Sequence, residues 1–184
     1  MKRSAFLFLL ACTSCSDSPE PSVAPALFCG APLFLNVAHV SVVPATQVSE
    51  GLSTSVEMTP PFSESIVRWA EKNLVAGGTQ GEAQAVVESA SLDVFPVAEP
   101  QGFFASTFAT AKVQYTAHCV LVLQQKKAGK SPITYRVQVS VKKTAERDPS
   151  PKARETVLRT LVQEVLLRLR QEVSKGAADL MVKL

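Results

Sequence analysis

Histidine and cysteine are the side chains in this sequence that could supply a nucleophile, a general base or a metal ligand. The chain has two histidines, His39 and His118, and four cysteines. His118 directly precedes Cys119 in a stretch of strand character, and adjacent strand residues point to opposite faces, which makes a nucleophile–base pair geometrically poor. No GxSxG, GxGxxG, HExxH or P-loop motif is present. We therefore expect a protein that is not an enzyme and that binds no metal or cofactor.

The N-terminal residues have the anatomy of a secretory signal. Lys2 and Arg3 form a basic region, residues 5–11 form an apolar region, and the small residue Ala11 precedes Cys12. This apolar region is far shorter than the ~18 residues that a membrane-spanning helix needs. Residues 9–12, with the sequence LLAC, resemble the lipobox of bacterial lipoproteins.

The lipobox resemblance implies cleavage before Cys12 and lipid attachment, including palmitate, at that cysteine. Cys15 is the rival lipidation site, but it lacks the usual leucine before it. In the lipoprotein family an aspartate after the lipidated cysteine favours the inner membrane of enteric bacteria. Thr13 stands there, so we expect attachment to the outer membrane, at its periplasmic face.

The composition divides the chain into three parts. Residues 1–11 are the predicted lipoprotein signal peptide, and residues 12–27 are rich in Ser and Pro, a composition typical of a tether that buries no core. Residues 28–184 are expected to form a single periplasmic domain. Three cysteines remain beside Cys12. Cys119 lies in the apolar phase of a predicted strand and is expected to be a buried thiol. The spacing of Cys15 and Cys29 allows a disulfide between them, and no other feature of the sequence favours one.

Charge is distributed unevenly along the chain. Residues 12–100 hold 2 basic and 10 acidic side chains, and residues 101–184 hold 15 basic and 6 acidic ones. Either the two halves interleave in space and the charges mix on one surface, or a basic surface faces anionic lipid or lipopolysaccharide. Removal of residues 1–11 leaves a net charge near zero, which together with the export signal disfavours nucleic acid as a partner.

Hydrophobic periodicity predicts the element order β-α-β-β-β-α. The fold class is therefore α+β, with a four-stranded mixed or antiparallel sheet and two helices packed on one face. The helices are expected to start at the N-caps Ser63 and Ser150, and a β-bulge is expected near Glu88 and Ser89. The predicted elements are strand 33–43, a short edge strand within 53–58, helix 63–76, strands 82–97, 113–123 and 133–143, and a helix from 151 to about 176.

Two segments are candidate contact surfaces. Residues 101–110 contain Phe103, Phe104 and Phe108 without a clear period, and these side chains either dock into the core or form a loop that binds a partner protein. Residues 126–132 form a predicted turn, in which Lys126, Lys127 and Lys130 are candidate contacts to anionic lipid.

The element order behind a lipobox and a tether resembles two families of bacterial envelope lipoproteins. One is the LPS-assembly lipoprotein family, and the other is the auxiliary lipoprotein family of ABC and MCE-type transport systems, whose early helix bears a tryptophan as residues 63–76 do here. The resemblance covers about residues 33–174 and implies an accessory role in envelope biogenesis or lipid transport. The expected partners are a membrane, through the lipid anchor, and an envelope complex such as a transporter or β-barrel. The alternative is a protein-interaction adaptor, for instance a regulator of a peptidoglycan synthase.

Overall fold

The computed structural model describes residues 31–44, 54–55, 58, 60–97, 111–177 and 180. The predicted signal peptide, the tether and the phenylalanine-rich segment 101–110 lie outside the described residues. The elements are β1 (Leu33–Leu35), β2 (His39–Val43), β3 (Thr54–Ser55), α1 (Phe62–Asn73), β4 (Leu74–Ala76), β5 (Glu82–Pro96), β6 (Lys112–Lys126), β7 (Ile133–Glu146) and α2 (Pro151–Gly176).

The main sheet has the strand order β2-β5-β6-β7 and is mixed. β2 pairs with β5 in parallel, while the β5–β6 and β6–β7 pairs are antiparallel. The short β3 pairs with the far part of β5, so the predicted edge strand within residues 53–58 is confirmed. Both helices contribute to one hydrophobic core on one face of this sheet. The predicted α+β class is therefore confirmed.

The bulge predicted in β5 is also confirmed. Val87 lies opposite Leu121 and Ser89 lies opposite Val120, which leaves Glu88 without a partner residue in the β5–β6 ladder. An extra residue reverses the side-chain phase of a strand. This reversal keeps apolar side chains of both halves of β5 on the helix-covered face: Ala83, Ala85 and Val87 before the bulge, and Ala90, Leu92 and Val94 after it.

The prediction of one strand over residues 33–43 was wrong, because this stretch forms two strands in two sheets. β1 pairs in parallel with β4, and β2 pairs in parallel with β5. Between the two strands the chain bends at residues 36–38. The backbone of Asn36 and Val37 passes close to Gly78, and a Cβ on Gly78 would lie 2.7 Å from that backbone. Residues 33–43 have apolar side chains at both odd and even positions because the chain passes from one sheet to another, and not because a single strand is buried on both faces.

The predicted bounds of the first helix also need correction. Ser63 is not the N-cap, because α1 begins at Phe62 and its N-cap is Pro61, two residues before Ser63, with no side-chain cap. The helix ends at Asn73 because Leu74 takes an extended conformation, with φ −98° and ψ 106°, and starts β4. The backbone N–H of Leu74 still donates to the carbonyl of Ala70, and residues 74–76 pair with β1. Trp69, on the core side of α1, is buried.

The predictions for α2 are confirmed. Ser150 is the N-cap, its hydroxyl accepts a hydrogen bond from the backbone N–H of Ala153 at 3.3 Å, and Pro151 is the first helical residue. The buried stripe of α2 packs on β6 and β7 and comprises Leu158, Leu161, Val162, Val165, Leu166, Leu169 and Val173.

α2 runs antiparallel to β7 and contacts this strand at intervals along its length. The hydroxyl of Tyr135 donates to the carbonyl of Glu172 at 3.2 Å, Arg168 donates to the carbonyl of Ser140 at 3.5 Å, and Lys143 forms an ion pair with the helix carboxylate Glu164 at 3.6 Å. In the described part of the chain β7 pairs with β6 alone and forms the outer strand of the sheet.

Candidate functional site

The adjacent His118 and Cys119 lie on opposite faces of β6, as predicted. Cys119 is fully buried in the core beneath the helices, whereas His118 is half-buried on the other face of the sheet. Burial raises the pKa of the Cys119 thiol from 9.0 to about 12. A thiol with such a pKa carries almost no thiolate near neutral pH, so Cys119 has the features of a structural side chain rather than a nucleophile.

The two histidines are far apart. His39 lies opposite Glu82 at the start of β5, and His118 lies opposite Ser91, nine positions further along that strand. Nine positions along a strand correspond to about 30 Å. Within the described ranges there is no group of three or more His, Cys, Asp or Glu side chains that could hold a metal ion.

The structure brings the three predicted lysines together at one end of the sheet. Lys126 is the last residue of β6, and Lys127 and Lys130 are the first and last residues of the following turn, which we call the lysine turn. The backbone N–H of Lys130 donates to the carbonyl of Lys127 at 3.1 Å. Gly129 has a φ of +72°, the conformation that a type II turn requires at its third position. Among the described residues, none of the three lysines forms an ion pair.

The lysine turn rests on the turn between β4 and β5. Gly81, with a φ of +85°, packs against this turn so closely that a Cβ would lie 2.6 Å from the carbonyl oxygen of Lys126 and 2.7 Å from Cγ of Lys127. The stem of Lys127 is therefore packed on backbone, which accounts for its half-buried state, while Lys126 and Lys130 are exposed. This close packing fixes the position of the turn relative to the sheet.

A contact with α2 holds Ala31, the first residue that the structure describes. The side chain of Arg170, on α2, donates to the backbone carbonyl of Ala31 and lies 3.5 Å from the amide oxygen of Asn73, at the end of α1. Farther along, the carbonyl of Asn36 accepts a hydrogen bond from the side chain of Gln125 at 3.0 Å, and Gln125 directly precedes Lys126. Ala31 is therefore five residues from Asn36, where the chain contacts the end of β6 beside the lysine turn.

Sequence reasoning missed Arg170, Asn73 and Gln125. Asn73 continues the apolar spacing of Ile66 and Ala70 in α1, and Gln125 continues the buried phase of β6. A polar residue at a core position needs a hydrogen-bond partner, so this break in the pattern is the signal that could have identified both amides. Arg170 gives no such signal, because its partners come from distant parts of the chain.

The acidic and basic halves of the sequence interleave in the described residues. β5, from the acidic half, lies beside β6, from the basic half. The bulged Glu88 forms an ion pair with Arg136 of β7 at 2.8 Å, and this pair spans β6. The prediction that the charges mix on one surface is thus supported there, whereas the lysines of the lysine turn have no ion-pair partner in the part of the chain that the structure describes.

Other predicted site residues lie outside the described part of the chain. These are Cys12 and the phenylalanines Phe103, Phe104 and Phe108. Phe95 and Val97 on the described flank are exposed, and the backbone N–H of Val97 donates to the carbonyl of Lys112 at 3.0 Å, which closes the base of the segment between β5 and β6. A search of the described helices finds none with the length and apolar character that crossing a membrane requires.

Comparison with known proteins finds likeness in structure alone. No protein-family model matches the chain, and no curated protein matches it. A minor lipoprotein from Acinetobacter baumannii is similar over 82% of this chain and 98% of its own, at 10% identity and a TM-score of 0.42. The rare lipoprotein B from Shewanella oneidensis is similar over 74% of this chain and 94% of its own, at 8% identity and a TM-score of 0.38.

A hypothetical protein from Chlamydia trachomatis is a further similar structure, over 78% of this chain and 99% of its own, at 8% identity and a TM-score of 0.40. These values describe a general likeness in the arrangement of the chain. The proposals below therefore rest on the residues of this protein.

Proposed function

We propose that this protein is a lipid-anchored envelope lipoprotein that serves, without enzymatic activity, as an accessory subunit in envelope biogenesis or lipid transport. The N-terminal LLAC sequence supplies the anchor at Cys12, and the outer membrane, on its periplasmic side, is the proposed location. The observation that carries the proposal is the position of the lysine turn. Among the described residues its lysines have no ion-pair partner, and they lie together at one end of the sheet, where they can attract anionic headgroups.

The absence of enzymatic activity is part of the proposal. The buried thiol of Cys119 is largely protonated near neutral pH, and His39 and His118 are too far apart along the sheet to act together. An accessory subunit needs surfaces rather than a catalytic centre. The domain offers such a surface at the lysine turn.

The anchor can be tested by matched cysteine variants. Cys12→Ala should abolish incorporation of labelled palmitate and release the protein from the membrane fraction, and globomycin should block processing of the unsubstituted chain. Cys15→Ala is the control and should behave as the unsubstituted protein. Membrane association of Cys12→Ala equal to that of the unsubstituted protein would contradict the proposed anchor.

The lipid-contact role can be tested by charge reversal. Replacing Lys126, Lys127 and Lys130 with Glu should remove anionic lipids from those that co-purify with the acylated protein, as measured by mass spectrometry, and should increase envelope permeability. A control variant reverses Lys152 and Arg154, which are exposed on the first turns of α2 at the far end of the domain. Unchanged lipids and permeability in the lysine-turn variant would refute this role.

A second candidate function is a protein-interaction adaptor. Phe95 and Val97 are exposed at the base of the segment that contains Phe103, Phe104 and Phe108. Exposed apolar side chains beside a phenylalanine-rich segment favour a partner protein at this end of the domain. The adaptor predicts that replacing these phenylalanines with Ser removes a co-purifying envelope protein and leaves the co-purifying lipids unchanged.

A further inference from the structure

Two large apolar side chains, those of Phe34 and Ile133, are exposed at the end of the domain that carries the lysine turn. Their exposed fractions are 41% and 45%. Phe34 lies between the buried Leu33 and Leu35 on β1, so its side chain points away from the core. Ile133 is the first residue of β7 and lies three residues after Lys130, the last residue of the lysine turn.

Gln125 relates the backbone positions of these two residues. It lies directly opposite Ile133 in the β6–β7 pair, and its amide donates to the carbonyl of Asn36, two residues after Phe34. Opposite residues of a strand pair are about 5 Å apart, and two residues of strand span about 7 Å. The backbone at both apolar side chains is therefore within roughly 10–12 Å of Gln125.

The charges around this pair favour an anionic partner. Lys126, Lys127 and Lys130 have no ion-pair partner in the described ranges, and Glu82 is the residue opposite Lys126. Lys175, near the end of α2, pairs with Glu172 at 3.2 Å. Unpaired lysines beside exposed apolar side chains are typical of a surface that lies in the headgroup region of an anionic bilayer.

We infer that this end of the domain is a second membrane contact, in which Phe34 and Ile133 enter the headgroup region and the lysine turn binds lipid phosphates. The inference rests on the proposed lipid anchor and deepens it. A tether alone leaves the domain free to rotate, whereas this contact orients it with the C-terminal end of α2 towards the bilayer. The bilayer is the occupant that fits, because Lys126, Lys127 and Lys130 have no ion-pair partner among the described residues and complement the phosphates of anionic lipids.

The experiment uses the full acylated protein reconstituted in phosphatidylcholine vesicles, with and without phosphatidylglycerol, whose acyl chains carry bromine. Ile133→Trp and Phe34→Trp each place an indole at the proposed contact. Leu167→Trp is the matched control, since Leu167 is 52% exposed on α2 and lies outside the proposed contact. The native Trp69 is buried in the core and supplies the background emission.

The expected result is bromine quenching of the tryptophans at positions 34 and 133 in vesicles that contain phosphatidylglycerol, several-fold greater than quenching at position 167. Charge reversal of Lys126, Lys127 and Lys130 should reduce it to the level of that control. Protein that floats with the vesicles but shows equal quenching at all three positions would overturn the inference and leave the proposed anchor standing. Protein that does not float would overturn the anchor itself. Urea unfolding midpoints within error of the unsubstituted protein establish that each variant is folded.

Discussion

Gly81 and Gly129 form a natural pair for testing how the lysine turn is held. Both have a positive φ, of +85° and +72°, a conformation that costs a residue with a side chain about 1–2 kcal/mol. A Cβ at Gly129 would meet nothing within 4 Å, whereas a Cβ at Gly81 would lie 2.6 Å from the carbonyl oxygen of Lys126. Backbone cannot yield as a flexible side chain does, and such overpacking costs a further 1–3 kcal/mol, roughly.

We therefore expect Gly129→Ala to lower the free energy of unfolding by about 1–2 kcal/mol and Gly81→Ala to lower it by about 2–5 kcal/mol. Urea unfolding followed by far-ultraviolet circular dichroism measures both values. With a urea slope of about 2 kcal/mol/M, the midpoints of the two variants should differ by roughly 0.5–1.5 M. Equal losses for the two variants would show that the lysine turn does not rest on Gly81 as described, and would refute the reasoning.

Three further predictions concern the core. Unfolding exposes Cys119, whose pKa falls from about 12 to 9.0, so above pH 9.0 the folded state should lose about 1.4 kcal/mol of stability per pH unit until pH reaches about 12. Cys119→Ala should remove this part of the alkaline decline in urea midpoints, and an unchanged slope would contradict the assignment. Leu161→Ala should cost about 2–5 kcal/mol by urea unfolding because Leu161 is fully buried, whereas the exposed Leu167→Ala should change stability by less than about 0.5 kcal/mol. Tyr135→Phe should cost about 1 kcal/mol in the same assay through loss of the hydrogen bond to Glu172, and no change would mean that water replaces this bond without cost.

Local signals in the sequence account for the parts of the fold that were predicted correctly. The alternation that starts at Ile133, the phase slip at Glu88 and the cap at Ser150 each depend on residues close together in the chain. The stretch 33–43 was misjudged because its division depends on two partners, β4 and β5, that lie more than thirty residues further on. Hydrophobic periodicity reports burial and cannot identify which strand provides it.

The features of the candidate site also divide into those that local sequence signals predict and those that depend on distant parts of the chain. Lysine clustering around Gly129 could be seen in the sequence, since a glycine flanked by lysines indicates an exposed turn. The link from Ala31 to Arg170, residues 139 positions apart, could not be seen, because it depends on the path of both helices. The exposure of Phe34 was also hidden, since in one continuous buried strand its side chain would have been covered.

The outer strand β7 has a consequence for how copies of this protein behave when they are crowded. A strand of fourteen residues with a free edge can pair with the same edge of another copy. Here the carbonyl of Ser140 already accepts a hydrogen bond from Arg168, and the exposed Lys142 adds a charged side chain to the strand that a second β7 would have to approach. An occupied edge carbonyl and an exposed lysine are both features by which natural sheets oppose pairing at an edge strand.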